Sequence, residues 1–263
     1  MALAMIEAGE KTGRLQPGQP VVEYTGGSTG VSLAFVCTAK GYPLFIVTSD
    51  AFSAEKRSHM AAYGATLMLI HSPGGMDEAL TRNMVEAARQ ITAQKEAFWT
   101  DQLRNTDQLP AYHKMGDEIW RQTKGRIDAF VQSTGTAASV RGVAEALRRH
   151  NPKIFIAAVE PKESAVLSGG QTGSHKIEGM GPGFVPPLWD SSIADTVLTV
   201  STDEAMEMAR RLTRTEAIFA GTSTGANLVA AISLGKRLGP GATIVTVICD
   251  TGIKYISTNL YRS

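Results

Sequence analysis

Cysteine is scarce in this chain: Cys37 and Cys249 are the only two among 263 residues. Two thiols cannot build a disulfide framework, and no Cys/His spacing matches a zinc site, so both are expected as buried thiols. Long apolar runs are missing too. Stretches such as 244–249 are strand length, which excludes a membrane-spanning helix there. The opening Met1-Ala2-Leu3-Ala4-Met5-Ile6 runs straight into Glu7, Glu10 and Lys11, without a charged leader, and reads as a helix rather than a signal peptide. Formal net charge is only +1, with no basic tract and no aromatic-basic interleaving, which argues against nucleic acid as a partner. His59, His71, His113, His150 and His175 have no carboxylate or serine partner at an informative spacing and are read as surface or structural. Trp99, Trp120 and Trp189 are too dispersed for a stacking platform. The expectation is a cytoplasmic protein whose partner is a small molecule, not nucleic acid and not a membrane.

What is present is alternation. With 43% hydrophobic and 19% charged residues the composition is that of an ordinary globular protein, long enough for one large α/β domain or two smaller ones. Strand-length apolar runs are predicted at 21–24, 44–48, 66–70, 97–99, 129–132, 154–159, 196–200, 217–220 and 243–249. Between them the helical period predicts helices at 29–40, 53–63, 76–94, 107–122, 138–150, 202–213 and 224–238, after an opening helix. Such alternation means βαβ crossovers and parallel sheets covered by helices on both faces. Ser53 marks a helix start, and Asp203 with Glu204 suits a positive helix end. The pattern pauses at Asp101-Gln102-Leu103-Arg104-Asn105-Thr106-Asp107, which places a junction between two domains there, assigned as 1–112 and 113–263. A Gly/Pro-rich stretch over 168–189 is too long to be a simple connection and reads as functional.

Three loops carry the chemistry. Thr25-Gly26-Gly27-Ser28-Thr29-Gly30 lies where a strand hands over to a helix. Its glycines let N–H groups approach a ligand, and the helix start adds orphan donors and a positive dipole end. It is neither a Walker motif nor a Rossmann Gly-x-Gly-x-x-Gly, and no acidic residue follows at the spacing of a ribose-binding carboxylate. Alone it could hold any carboxylate or phosphate. Ser133-Thr134-Gly135-Thr136-Ala137-Ala138-Ser139 repeats the strand-to-helix setting with small residues throughout, suited to a phosphate. Gly221-Thr222-Ser223-Thr224-Gly225-Ala226 is the third, expected between a strand and a helix. Loops after successive parallel strands share one sheet edge, so the three together point to a shared ligand site.

In this order the loops resemble those of the cysteine synthase group of fold-type II pyridoxal-phosphate enzymes, which show Thr-Ser-Gly-Asn-Thr-Gly, Gly-Thr-Gly-Gly-Thr and Gly-Ile-Ser-Ser-Gly-Ala. Further matches are Ser53-Ala54-Glu55-Lys56-Arg57, Lys176-Ile177-Glu178-Gly179-Met180-Gly181-Pro182-Gly183-Phe184 and Asp250-Thr251-Gly252-Ile253-Lys254-Tyr255-Ile256-Ser257-Thr258, so the resemblance spans essentially the whole chain. It implies a tryptophan synthase beta-like fold of two parallel-sheet domains, a smaller substrate-loop domain and a larger cofactor-phosphate domain, with pyridoxal 5'-phosphate in the cleft between them. It implies that Thr25, Gly26, Gly27 and Thr29, with Gln102, bind the α-carboxylate of an amino-acid substrate. Ser28 stands where the family has asparagine against the cofactor's phenolic oxygen. Gly135, Thr136, Ala137, Ala138 and Ser139 cradle the phosphate, and Ser223 meets the pyridine nitrogen, where a neutral hydroxyl suits β-elimination and replacement. The implied reaction is β-replacement on an O-acetylserine-type activated serine by sulfide, giving cysteine, in a homodimer. Cystathionine β-synthase-like or serine/threonine dehydratase chemistry is the nearest alternative, and a non-catalytic binding or regulatory protein of the same fold is another. Gly26 and Ser28 depart from the family's serine and asparagine, and Ala137-Ala138 from two glycines.

The family's cofactor-carrying lysine lies in Ser-x-Lys-Asp-Arg, just before a helix like that at Met1, and this chain has no such motif. The expectation is therefore a chain lacking the N-terminal segment, inactive as given, with no catalytic residue of its own for that role. Lys11, Lys40, Lys56, Lys95, Lys114, Lys176 and Lys254 are each expected as solvated surface charges and not as substitutes.

Overall fold

The computed structural model describes residues 1–72 and 78–262, which form two units, each around its own parallel sheet. One unit is Met1–Gln108 with Lys254–Ser263, the other Leu109–Ile253. The sequence placed the junction a few residues later and did not foresee that the last residues return to the first unit.

In the first unit, β1 (Val21–Tyr24) is buried at every position and pairs with β2 (Leu44–Ser49) on one side and β4 (Phe98–Trp99) on the other. β3 (Thr66–Ile70) pairs beyond β2, giving the order β3-β2-β1-β4 with every pairing parallel. Around the sheet stand α1 (Ala2–Lys11), α2 (Ser28–Lys40), α3 (Ala54–Ala62) and α4 (Glu78–Lys95). The helix predicted from residue 76 is described from Glu78; Met76 and Asp77 lie outside the described residues. Met5 and Ile6 of α1 are fully buried with Leu33, Cys37, Ile46, Met60 and Phe98. Burial of such side chains stabilises by about 1.5–3 kcal/mol each. α2 stops at Gly41, whose φ of 78° lets its N–H turn back to the Cys37 and Thr38 carbonyls.

The second unit repeats the scheme with β5 (Ala129–Ser133), β6 (Phe155–Pro161), β7 (Thr196–Val200) and β8 (Ile244–Thr246), in the parallel order β7-β6-β5-β8. Its helices are α5 (Leu109–Gln122), α6 (Ala138–His150), α7 (Thr202–Glu216) and α8 (Thr222–Leu238). Alternate residues of β5 serve opposite faces. Phe130 joins Val140, Val143, Leu147 and Ile156 on one side, while Ala129 and Val131 join Val159, Ala226, Ala230 and Leu234 on the other. α7 opens on a full capping box between Ser201 and Glu204, in keeping with the acidic helix start read from the sequence.

Two expected strands change. Residues 217–220 form none: Ala217 closes α7 in a left-handed conformation (φ 56°), and only Ala220 bridges, antiparallel to Thr251. The strand expected over 243–249 keeps its ladder only at Ile244–Thr246, because side chains of α8 take over beyond it. Asn227 Nδ2 donates to the Val247 carbonyl at 3.0 Å, and Thr224 Oγ1 accepts the Cys249 N–H at 3.0 Å. In each sheet the chain order reverses once, between β1 and β4 and between β5 and β8. At such switch points the loops diverge and leave a crevice.

Candidate active site

The first loop leaves β1 at its switch point. Thr25 Oγ1 accepts the Gly27 N–H at 3.1 Å, and the Gly27 carbonyl accepts the first helical N–H, from Val31, at 3.1 Å. The N–H groups of Ser28, Thr29 and Gly30 therefore precede the helix ladder and stand at its positive end. Ser28 is exposed and Thr29 half-buried. The glycines answer to crowding from α3 and the turn before it: a Cβ at Gly26 would strike the Phe52 ring, and one at Gly27 would stand 2.8 Å from Lys56 Cδ.

Gln102 follows β4 after Asp101, which takes a positive φ of 42° to turn the chain. Its N–H donates to Glu23 Oε2 at 2.9 Å, and its Nε2 donates to the Tyr24 carbonyl at 2.7 Å. Gln102 is thus fastened to the strand end from which the loop springs. Glu23 also accepts from the Thr100 hydroxyl at 2.7 Å and the Tyr24 N–H at 2.9 Å, and burial pushes its carboxyl up to about 7. The sequence carried a signal for it that was passed over, a lone carboxylate inside the apolar strand Val21-Val22-Glu23-Tyr24.

The second loop leaves β5 at the other switch point. Thr134 is tied at both ends, its N–H to the Val159 carbonyl at 2.9 Å and its carbonyl to the Gly181 N–H at 3.0 Å. Ala137 adopts a left-handed conformation (φ 69°) directly before α6, the change of backbone hand that forms an anion-binding nest. The first helical bond runs from Arg141 to Ala137, so the N–H groups of Ala138, Ser139 and Val140 precede the ladder. Gly135 is pressed against the 176–184 segment: a Cβ there would lie 2.6 Å from the Gly179 carbonyl oxygen. That segment turns on positive-φ glycines at 179, 181 and 183. His175 pins it, Nε2–H donating to the Gly181 carbonyl at 2.9 Å and Nδ1 accepting the Ile177 N–H at 3.2 Å. Burial lowers the His175 pKa, consistent with that neutral pattern.

The third motif is the first turn of α8, not a loop after a strand. Ser223 is buried there, and burial pushes the Cys249 thiol up. Thr222 Oγ1 accepts the Glu178 N–H at 3.2 Å. Asn227, one residue past the motif read from the sequence, accepts the Ser133 N–H at 2.7 Å and reaches Cys249 Sγ at 3.5 Å. The second and third motifs are thereby joined within one unit, and the first, with Gln102, belongs to the other.

Two further expectations need correction. Cys37 is buried as expected, but Cys249 is only partly so. Lys56, expected on the surface, is 2% exposed. The histidines, read as surface or structural, include three that pair with carboxylates: His113 with Glu145 at 2.7 Å, His150 with Asp117 at 2.9 Å, and His71 with Asp50. These pairs join residues more than twenty positions apart, which no local spacing displays.

Comparison with known proteins bears on what such loops hold. The family model for pyridoxal-phosphate-dependent enzymes matches residues 1–250. A cysteine synthase of Staphylococcus aureus is 42% identical over 264 aligned residues, covering 99% of this chain and 83% of that protein. The solved cysteine synthase of Entamoeba histolytica superposes with a TM-score of 0.91 at 34% identity, covering 99% of this chain and 76% of that one. The O-acetylserine-dependent cystathionine beta-synthase of Helicobacter pylori gives 0.92 at 29% identity, covering 99% and 85%. The residues present fit a phosphate-bearing cofactor in the second unit. Among the described residues Thr134 Oγ1 and Gln132 Oε1 are buried without hydrogen-bond partners, in the segment that leads to a helix start whose first N–H groups precede its ladder and to a glycine whose Cβ would lie 2.6 Å from the Gly179 carbonyl oxygen. With a donor-rich cradle of that chemistry in place and the match running nearly end to end, the chain belongs to the pyridoxal-phosphate-dependent enzymes, in the fold-type II group that includes the cysteine synthases.

Proposed function

We propose that this protein serves β-replacement on an activated serine, taking O-acetyl-L-serine and sulfide to L-cysteine and acetate. The Cβ–O bond breaks with acetate leaving, and a C–S bond forms in its place. The observation that carries this is the division of labour between two helix starts. The 25–30 loop offers N–H groups and hydroxyls beside Gln102, while the 135–139 loop offers a second cradle, tied through the Ser133 N–H to Asn227 on α8, the helix that carries Ser223.

Gly135, Thr136, Ala137, Ala138 and Ser139 would hold the phosphate, Ser223 the ring nitrogen and Ser28 the phenolic oxygen. Thr25, Gly26, Gly27, Thr29 and Gln102 would hold the substrate carboxylate. Pyridoxal phosphate, when bound, supplies an electron sink for the charge that develops at Cα. Ser223 would offer the ring nitrogen a hydrogen bond without a formal charge and so would moderate that sink. The first unit then acts as the substrate-loop domain and the second as the cofactor-phosphate domain. We take the working form to be a cytoplasmic homodimer, supported by the family resemblance; among the described residues no helix is long and apolar enough to cross a membrane.

Ser-x-Lys-Asp-Arg is absent from these 263 residues, so the chain is expected to bind without turnover, and binding is its direct test. Titration of the cofactor-loaded chain with 13C-carboxyl O-acetyl-L-serine should shift the carboxyl resonance and the amides of Thr25–Thr29. A chain extended ahead of α1 by a Ser-x-Lys-Asp-Arg segment should form cysteine and acetate with sulfide. Formation of cystathionine with homocysteine but no cysteine with sulfide would move the assignment to the donor chemistry shared with the Helicobacter pylori relative. Absence of any amino-acid binding would overturn it.

A further inference from the structure

Lys56 is the only buried lysine among the described residues, and the reaction assigned above gives it no part. Burying an ammonium is costly unless it is well partnered, so its position calls for a physical cause. It sits in the first turn of α3 and lies directly against the 25–30 loop. A Cβ placed on Gly27 would stand 3.2 Å from Lys56 Nζ as well as 2.8 Å from Cδ, so the glycine is what lets the amine reach the loop backbone. From the other side Nζ donates to the Tyr255 hydroxyl at 2.8 Å and lies 4.4 Å from the centroid of the Tyr255 ring. Lysine has donors only, so the tyrosine oxygen is the acceptor, and the ring face adds a cation–π contact. One residue earlier, Glu55 accepts the Ser257 N–H at 2.6 Å and the Ser257 hydroxyl at 2.7 Å. The returning segment Lys254–Ser263 is therefore fastened twice to the start of α3, and one of those fastenings fixes the amine beneath the loop.

We propose that Lys56, held by Tyr255, sets the charge preference of the 25–30 loop, making it select a carboxylate over an uncharged group of the same shape. This rests on the reading of that loop as a carboxylate clamp. Backbone N–H groups and hydroxyls alone accept any hydrogen-bond acceptor, and a carboxamide oxygen satisfies them nearly as well as a carboxylate oxygen. A positive charge packed against the same backbone favours the anion and gives nothing to its neutral counterpart, and a charge as buried as that of Lys56 is screened little. The substrate class so defined is an α-amino acid with a free carboxylate, not its amide or a peptide-internal residue. Lys56 acts through the loop it underlies and is a specificity and positioning residue, not a catalytic one.

The test is a ratio. The 15N-labelled full chain is titrated with L-serine and with L-serinamide, following the amides of Gly26, Gly27 and Gly30. Wild type should bind L-serine at least tenfold more tightly than the amide. Lys56→Met should bring that preference below about twofold, Lys56→Arg should retain most of it, and Tyr255→Phe should lower it about threefold. A tenfold preference surviving in Lys56→Met, or equal weakening of both ligands, overturns the proposal. Should Lys56→Met fail to fold, Tyr255→Phe decides, an unchanged ratio counting against. Wild type blind to both ligands overturns the clamp itself, and this inference falls with it; a wild-type preference indifferent to Lys56 overturns this inference alone.

Discussion

The Glu23 carboxylate accepts the backbone N–H of Gln102 at 2.9 Å, joining the end of β1 to the turn after β4 across the switch point of the first sheet. The same carboxylate holds the Thr100 hydroxyl at 2.7 Å, so one buried acid organises both strand ends beneath the 25–30 loop.

Its titration should be visible in stability. Burial is the dominant cause of the shift, and it raises the folded-state pKa from 4.5 to about 7. Between those values the folded chain keeps the proton that the unfolded chain has released, so stability falls as pH rises through the window and levels off above it. For this group alone the drop is about 3 kcal/mol. Urea unfolding of wild type and Glu23→Gln at half-unit steps from pH 4 to 8 checks it. The wild-type curve should fall relative to the variant over that window; parallel curves would show that Glu23 is not the group responsible.

Gln102→Leu separates anchoring from binding. The substitution strands the Tyr24 carbonyl, which should cost about 1–3 kcal/mol of stability, as for a buried acceptor left without its donor. If Gln102 also serves the carboxylate, affinity for L-serine should fall by about tenfold beyond any fraction of unfolded protein. Unchanged affinity in the folded fraction would remove Gln102 from the clamp and leave it a structural tie.

Gly135→Ala tests the phosphate cradle by steric means. The added methyl would lie 2.6 Å from the Gly179 carbonyl oxygen, a backbone atom fixed by the Gly181–Thr134 and His175–Gly181 hydrogen bonds. Relief requires the 176–184 segment to move away from the loop. Affinity for pyridoxal phosphate should drop more than tenfold while affinity for unphosphorylated pyridoxal changes little, read by fluorescence titration. Equal losses for both ligands would place the phosphate elsewhere.

Much of this was legible in the sequence, and the failures share a cause. Strands at 21–24, 66–70 and 196–200 were read to the residue because their apolar runs end at polar or glycine signals that the fold respects. Residues 217–220 looked like a strand from composition alone, yet Phe219 is 37% exposed and, among the described residues, only an isolated bridge from Ala220 to Thr251 forms there. Strand β8 ends early because Thr224 and Asn227, on a helix more than fifteen residues upstream, satisfy its backbone in place of β5. Ala137 stands where the family has glycine, and the structure puts it at positive φ, where a methyl costs about 1 kcal/mol. Lys56 was misjudged on the same ground. Its burial depends on Tyr255, 199 positions away, and on a glycine that leaves room for the amine. Local pattern shows which residues want a helix, a turn or a core; tertiary partners decide which polar groups go inside.

Lysine chemistry offers the last test. The cofactor-carrying lysine of this family has no counterpart in the motifs of this chain, and Lys56, which packs against the 25–30 loop, donates to the Tyr255 hydroxyl at 2.8 Å. The remaining lysines are exposed or half-exposed. Pyridoxal phosphate followed by borohydride should therefore yield only low, scattered pyridoxyl labelling of surface lysines, proportional to reagent and insensitive to added L-serine. Peptide mapping should find Lys56 unlabelled in the folded protein and labelled once urea exposes it. Stoichiometric labelling of a single lysine, suppressed by L-serine, would show that this chain carries its own cofactor-bearing amine, and the expectation of binding without turnover would be wrong. Were that lysine Lys56, its role beneath the loop would be catalytic and the charge-selection proposal would have to give way.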